Sequence, residues 1–202
     1  KDYANDIFKM VQLNKTTPSN QISPGNLVPY ESDDTTHFSI ADKFGNIVSN
    51  TYTLNSSYGS GVVISGTGII MNNEMDDFVS APGVPNQFGL LGGEANKIEP
   101  FKRPLSSMTP TIVFKNGKPA YVTGSPGGSV IITAVLQFLL NTLVFDMEIS
   151  DATVAPRVHQ QWDPDVLFVE KGFDINHVEE LNLMGQKTIV TGPRTALESI
   201  NI

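Results

Sequence analysis

Tyr3, Ile7, Met10 and Val11 recur at helical spacing, so the chain is predicted to open on an amphipathic helix. Thr16 to Asp34 then carries three prolines and no periodicity. It reads as a long exposed connector, the kind of segment where chains are cut. From Thr35 the period becomes two. Thr35, His37, Ser39 and Ala41 share one face of a strand, and Thr36, Phe38 and Ile40 share the other. A turn at Asp42-Lys43-Phe44-Gly45-Asn46 leads into Ile47–Leu54, which predicts a hairpin. Centred on Phe44, that hairpin sets Thr35 opposite Thr53, with a bulge at Gly45 able to slip the pairing by one residue. In this register Thr35, His37 and Ser39 face Thr53, Thr51 and Ser49. Such a hydroxyl-lined face suits a reaction site better than a core.

Val62–Ser65 and Gly68–Asn72 are predicted as further strands, and Glu74 to Met108 as a long irregular loop. A loop of that length inside a domain is usually functional or disordered. Thr111–Phe114 and Ala120–Gly124 form a second predicted hairpin around Asn116-Gly117, a strong short-range turn signal. Gly124-Ser125-Pro126-Gly127-Gly128 then launches an apolar run, Val130 to Phe145. That run is interrupted by Thr133, Gln137, Asn141 and Thr142, so it reads as a buried core helix and not a membrane span. A short helix near Ser150–Ala155, a strand at Val166–Val169 and a helix from about Asn176 to Met184 are predicted next. Strands at Lys187–Val190 and Leu197–Ile202 close the chain. The pattern predicts an α+β protein of two packed antiparallel sheets covered by helices.

Composition narrows the chemistry. The chain has 202 residues, enough for one sizeable core, with 40% hydrophobic and 17% charged residues. Thirteen basic residues against twenty-one acidic ones give −8 with no basic run, which argues against nucleic acid or anionic membrane as partners. Cysteine is absent, removing disulfides, thiolate catalysis and cysteine metal sites. His37, His159 and His177 are far apart, share no metal spacing and read as structural, so no metal is expected.

Three features could carry a reaction. The first is Asp34-Thr35-Thr36-His37, a threonine pair where an acidic, proline-containing loop meets a strand. A threonine hydroxyl is a poor nucleophile without a base. Cutting the bond before Thr35 would free an α-amine with a reference pKa of roughly 7.7–8.0, suited to that role. The second is the strand, Gly-Ser-Pro-Gly-Gly, helix succession. Amides at a helix start can stabilise an oxyanion, although a plain strand-to-helix turn has the same letters. A phosphate loop is disfavoured, because no Lys-Ser/Thr pair follows the glycines. The third is Asn72-Asn73-Glu74-Met75-Asp76-Asp77-Phe78, with three carboxylates in four positions. It is either a solvated acidic loop or a seat for a cationic amine; calcium-loop spacing is absent. Ser106-Ser107 adds paired hydroxyls able to hold a carboxylate.

Thr35-Thr36-His37, Thr53-Leu54-Asn55, the acidic loop through Phe78, Pro104-Leu105-Ser106-Ser107-Met108 and Gly124-Ser125-Pro126-Gly127-Gly128, in that order, closely resemble γ-glutamyltranspeptidase. The resemblance implies an N-terminal-nucleophile hydrolase, a four-layer αββα sandwich with two stacked antiparallel sheets. It also implies that residues 1–34 are the tail of a large subunit and 35–202 a small catalytic subunit, C-terminally incomplete. Self-cleavage would fall between Asp34 and Thr35. By the same resemblance Thr35 is the nucleophile, Thr53 positions it, and Gly127 and Gly128 form the oxyanion hole. Asn55, Glu74 and Asp77 would hold the substrate's α-amino group, and Ser106 and Ser107 its α-carboxylate. Further implications are glutathione or another γ-glutamyl compound as donor, water or an amino acid as acceptor, the large subunit as partner, no cofactor, and a periplasmic or secreted location. Phe88 stands in the lid, Pro82 to Gly89, where bacterial relatives often have tyrosine. The alternatives are a related acylase, a poly-γ-glutamate transferase, and an unprocessed, inactive homologue acting as a binding module.

Overall fold

A computed structural model describes Phe8, residues 11–18 and residues 35–202. The predicted opening helix and the connector that follows lie mostly outside these residues, as does Asp34; Phe8 is helical.

Strands β1 (Thr35–Ala41) and β2 (Ile47–Thr53) form the first hairpin. The turn is built on Asp42, whose carboxylate accepts the Phe44 and Asn46 amides and the Asn46 side chain at 2.7–2.9 Å. With the turn closed in this way the pairing does not slip: Thr35 opposes Thr53, His37 opposes Thr51 and Ser39 opposes Ser49.

The hydroxyl face is not an open reaction surface along its length. It turns toward β4 (Lys118–Gly124), where Ser49 donates to the Thr123 carbonyl at 3.0 Å. His37 is 6% exposed and its ring nitrogens lie 2.7 Å from Thr51 Oγ1 and 3.0 Å from Ser39 Oγ. Burial lowers the His37 pKa, which favours the neutral imidazole in this polar layer. The close approach has a steric reason: Gly124 has no side chain, so the imidazole ring occupies the space beside its backbone.

β4 is the middle strand of a second sheet, between β3 (Thr111–Lys115) and β8 (Glu198–Asn201), all antiparallel. The predicted Asn116-Gly117 hairpin is present, both residues at positive φ. Helix α1 (Val130–Leu143) follows the glycine loop as expected and packs its buried face onto β4 and onto α2 (Ile149–Val154). Ile131, Val135, Phe138, Ala152 and Leu197 make the core, and Tyr121 meets Phe138 edge to face. The third sheet joins β5 (Val158–His159), β6 (Leu167–Glu170) and β7 (Thr188–Thr191), with α3 (Ile175–Leu183) between the last two. Its β6–β7 pair is parallel, because α3 carries the chain back to the same end.

The strands predicted at Val62–Ser65 and Gly68–Asn72 reduce to one bridge, Val63 to Ile70. Their apolar side chains are mostly exposed and bury no face, so nothing extends the pairing. Gly124→Ala would push a methyl group into the His37 ring. We expect a loss of about 1–3 kcal/mol, as for other overpacked sites, measured as a lower melting temperature. An unchanged melting temperature would show that the hairpin does not lean on β4 through this contact.

Candidate active site

The open end of the hairpin is where the predicted chemistry collects. One cleft, spanning about 410 Å³, is lined by Thr35, Thr53, Asn55, Asp77, Phe88, Leu90, Ser106, Ser107, Met108, Gly128, Ser129 and Ile131. Residues more than ninety positions apart in sequence therefore share one wall. Gly127 and Glu74 do not line the cleft. Gly127 lies against Thr195, and Glu74 is hydrogen-bonded to Asp77.

Thr53 ends β2 and turns the chain. Its hydroxyl accepts the Asn55 amide at 2.9 Å, and Asn55 adopts φ 76, a left-handed conformation that asparagine tolerates. That turn buries Asn55 to 6% exposure and lets its side-chain amide donate to the Asn73 carbonyl at 3.2 Å. The β2 end is thereby fixed to the acidic loop. Asn73 strengthens the tie by accepting the Ser56 amide at 3.0 Å.

The acidic loop is a single 3-10 turn, Glu74–Asp77. Glu74 Oε1 is buried without a hydrogen-bond partner among the described residues. Burial first, then the Asp77 charge and the hydrogen bond to Asp77, push the Glu74 carboxyl up to about 7. Burial raises Asp77 as well; the hydrogen bond from Glu74 opposes that rise and the Asp76 charge adds to it. These shifts favour a proton shared by the two side chains, the state expected of crowded carboxylates with no cation beside them among the described residues.

Asn96 was not singled out by sequence, yet it joins the two halves of the expected clamp. Its side-chain amide donates to the Asp77 carbonyl at 2.7 Å, and its amide oxygen accepts the Leu105 amide at 2.9 Å. Only the neighbouring glycines hinted at it: Gly92 leaves room for the Val79 side chain, so the 92–96 segment can approach. Ser106 accepts the Met108 amide at 3.2 Å, and both serines face the cleft. The 82–89 segment also packs onto this wall. Phe88 is 8% exposed, the Gln87 amide donates to Asp76 at 3.0 Å, and the Gln87 side chain accepts from Ser56 at 3.1 Å.

The glycine loop meets the cleft at Gly128. Gly127 and Gly128 have φ of 119 and 56, conformations open to glycine, and their carbonyls accept the Val130 and Ile131 amides. A Cβ on Gly127 would lie 2.9 Å from the Thr195 side chain. The Thr195 hydroxyl is bound by Ser125 and the Pro126 carbonyl, so the loop is clamped from behind. The second layer is the buried pair of Arg157 and Glu170, 3.4 Å apart, with Arg157 donating to the Thr195 carbonyl at 3.1 Å.

Because the folded chain holds the Glu74 proton more tightly than the unfolded chain does, Glu74 favours folding fully below pH 4.5 and loses that contribution as pH rises to about 7. Glu74→Gln stays neutral throughout. Its melting temperature is expected to match the parent near pH ~4 and to exceed it near pH ~8. A difference that does not grow over this range contradicts the shared-proton reading.

A family model for γ-glutamyltranspeptidase matches residues 1–201. The chain is 52% identical over 202 residues to a glutathione hydrolase proenzyme of Escherichia coli (strain K12), covering 100% of this chain and 35% of that protein. It thus spans about a third of the length of such curated relatives. A crystal structure of a Helicobacter pylori γ-glutamyltranspeptidase mutant superposes with a TM-score of 0.79 at 52% identity, over 82% of this chain and 90% of the other. A cephalosporin acylase from Bacillus halodurans is more distant, at TM-score 0.66 and 28% identity over 78% of this chain and 27% of the other. The α+β, N-terminal-nucleophile hydrolase architecture is that of these neighbours. By family model, identity and superposition alike, the chain belongs to the γ-glutamyltranspeptidase family.

Proposed function

We propose that this chain is the catalytic part of a γ-glutamyl transferase and hydrolase that acts on glutathione or related γ-glutamyl compounds. One observation carries the reading: Thr35, Thr53, Asn55, Asp77, Ser106, Ser107 and Gly128 line a single cleft. In the proposed reaction the Thr35 hydroxyl attacks the γ-carbonyl carbon while the free Thr35 α-amine takes its proton. The Gly127 and Gly128 amides stabilise the oxyanion. The amine then returns the proton to the leaving nitrogen, leaving a γ-glutamyl ester on Thr35. Water or an acceptor amine attacks this ester and restores the threonine. Asp77 with Glu74 and Asn55 would meet the substrate ammonium, which also supplies a cation that none of the described residues brings to those crowded carboxylates. Ser106 and Ser107 would meet its carboxylate.

The proposal includes maturation. The Thr35 hydroxyl attacks the Asp34 carbonyl, and the acyl group passes from nitrogen to oxygen and so frees the α-amine. Water then cleaves that ester, separating the chains and restoring the hydroxyl. Residues 1–34 would then end a large subunit and residues 35–202 belong to the small one. Phe38, Ile40, Val48 and Tyr52, 39–56% exposed on the outer face of the hairpin, support a second subunit, since apolar patches of this kind mark interaction surfaces. A periplasmic or secreted location goes with the same reading, on resemblance alone.

Thr35→Ala is expected to leave the precursor uncut and inactive, and Thr35→Ser to cut slowly. Full-rate cleavage in the alanine variant, seen on a gel, would falsify self-processing by Thr35. The clamp has its own test. Asp77→Ala leaves the substrate ammonium poorly paired, at about 1.5–3 kcal/mol, so KM for a γ-glutamyl anilide should rise roughly tenfold to over a hundredfold with processing intact. A glutaryl anilide, lacking both head groups, should be a poor substrate for the parent. Equal kcat/KM for the two anilides would favour the acylase reading.

A further inference from the structure

Ser129 occupies the N-cap position of α1 but makes no capping bond to its own helix, the usual use of a serine there. Its hydroxyl donates instead to Gln161 Oε1 at 2.5 Å, across to the segment that follows β5. The same oxygen lies 3.0 Å from His159 Nε2. His159 is 3% exposed, stacks on Phe168, and has Nδ1 2.8 Å from the Thr133 hydroxyl on α1. An amide oxygen only accepts, so the network assigns the ring proton to Nε2, pointing at Gln161. The Gln161 amide nitrogen donates to the Asp163 carbonyl at 3.3 Å, which fixes the orientation of the amide. Ser129 is itself 7% exposed and lines the cleft directly after Gly128.

We propose that Gln161, oriented by His159, is a positioning residue that holds Ser129, and through it the Gly128 amide, in register with Thr35. The inference rests on the reading of Gly127 and Gly128 as oxyanion donors. Such a donor helps only when it is aimed where the negative oxygen develops, and losing one outright costs about 10²–10³ in rate. A loop freed at one anchor keeps its amides but loses their aim. The cost should therefore be smaller, about tenfold, and should fall on kcat, because the ground-state head-group contacts are untouched.

The test uses the full-length protein that contains this chain, with a γ-glutamyl anilide as substrate. Ser129→Ala and Gln161→Met should each lower kcat about tenfold with KM within about twofold of the parent. The double variant should be no slower than either single one, since both break the same link. Ser129→Thr, which keeps the hydroxyl, should recover most of the rate. A boronic acid analogue of glutamate, tetrahedral when bound to Thr35, should lose affinity by the same factor as kcat/KM. Glutamate itself should bind unchanged. A Ser129→Ala protein that melts with the parent and keeps its full kcat overturns the proposal, as does a loss confined to KM. Should Gln161→Met fold poorly, the Ser129 pair decides alone. A parent that fails to turn over the anilide defeats the functional reading as well, whereas an active parent with an equally active Ser129→Ala defeats only this link.

Discussion

The site depends first on the register of one hairpin. Side chains alternate along a strand, so a slip of one residue would set Thr35 against Tyr52 and turn half of the hydroxyl face outward. Two constraints hold the observed pairing. Asp42 closes the turn with three hydrogen bonds, and His37 anchors the middle of the face in the space beside Gly124. The first acts locally and the second ties the hairpin to the core sheet. Together they deliver Thr35 and Thr53 side by side at the rim of the cleft.

What faces the threonines is held by amide side chains more than by charge. Asn55, Asn73 and Asn96 link the end of β2, the acidic turn and the serine pair through backbone groups. Such bonds are each worth about 0.5–1.5 kcal/mol, but they fix geometry without neutralising the carboxylates they surround. Glu74 and Asp77 therefore remain crowded, and the Glu74 carboxyl is pushed up to about 7. A partner cation would relieve that strain in the electrostatics. This gives the acidic turn a physical reason to prefer an ammonium group over water.

Much of this was legible in the sequence because it is written locally. Period two, the Asp42 turn and Asn116-Gly117 announced the hairpins and the Thr35–Thr53 pairing, and the glycine loop announced α1. The site residues were named from a family resemblance, and seven of them share the cleft. The losses came from long-range packing. Val62–Asn72 has strand-like letters but no surface to bury against, so only one bridge forms. The hydroxyl face looked like a reaction surface until β4 covered most of it. Gln161 and the parallel β6–β7 pair leave no local pattern, and Asn96 only the glycines beside it, since each takes its meaning from a residue or strand that the sequence does not bring near.

The central claim is that Thr35 carries the γ-glutamyl group as an ester within this cleft. Rapid acid quenching of the full-length protein mixed with a γ-glutamyl anilide, followed by peptide mass analysis, tests it directly. The account predicts a peptide beginning at Thr35 that is heavier by one γ-glutamyl group, with the added mass on that residue. Steady turnover with no adduct on the Thr35 peptide, or an adduct located on another side chain, would contradict it.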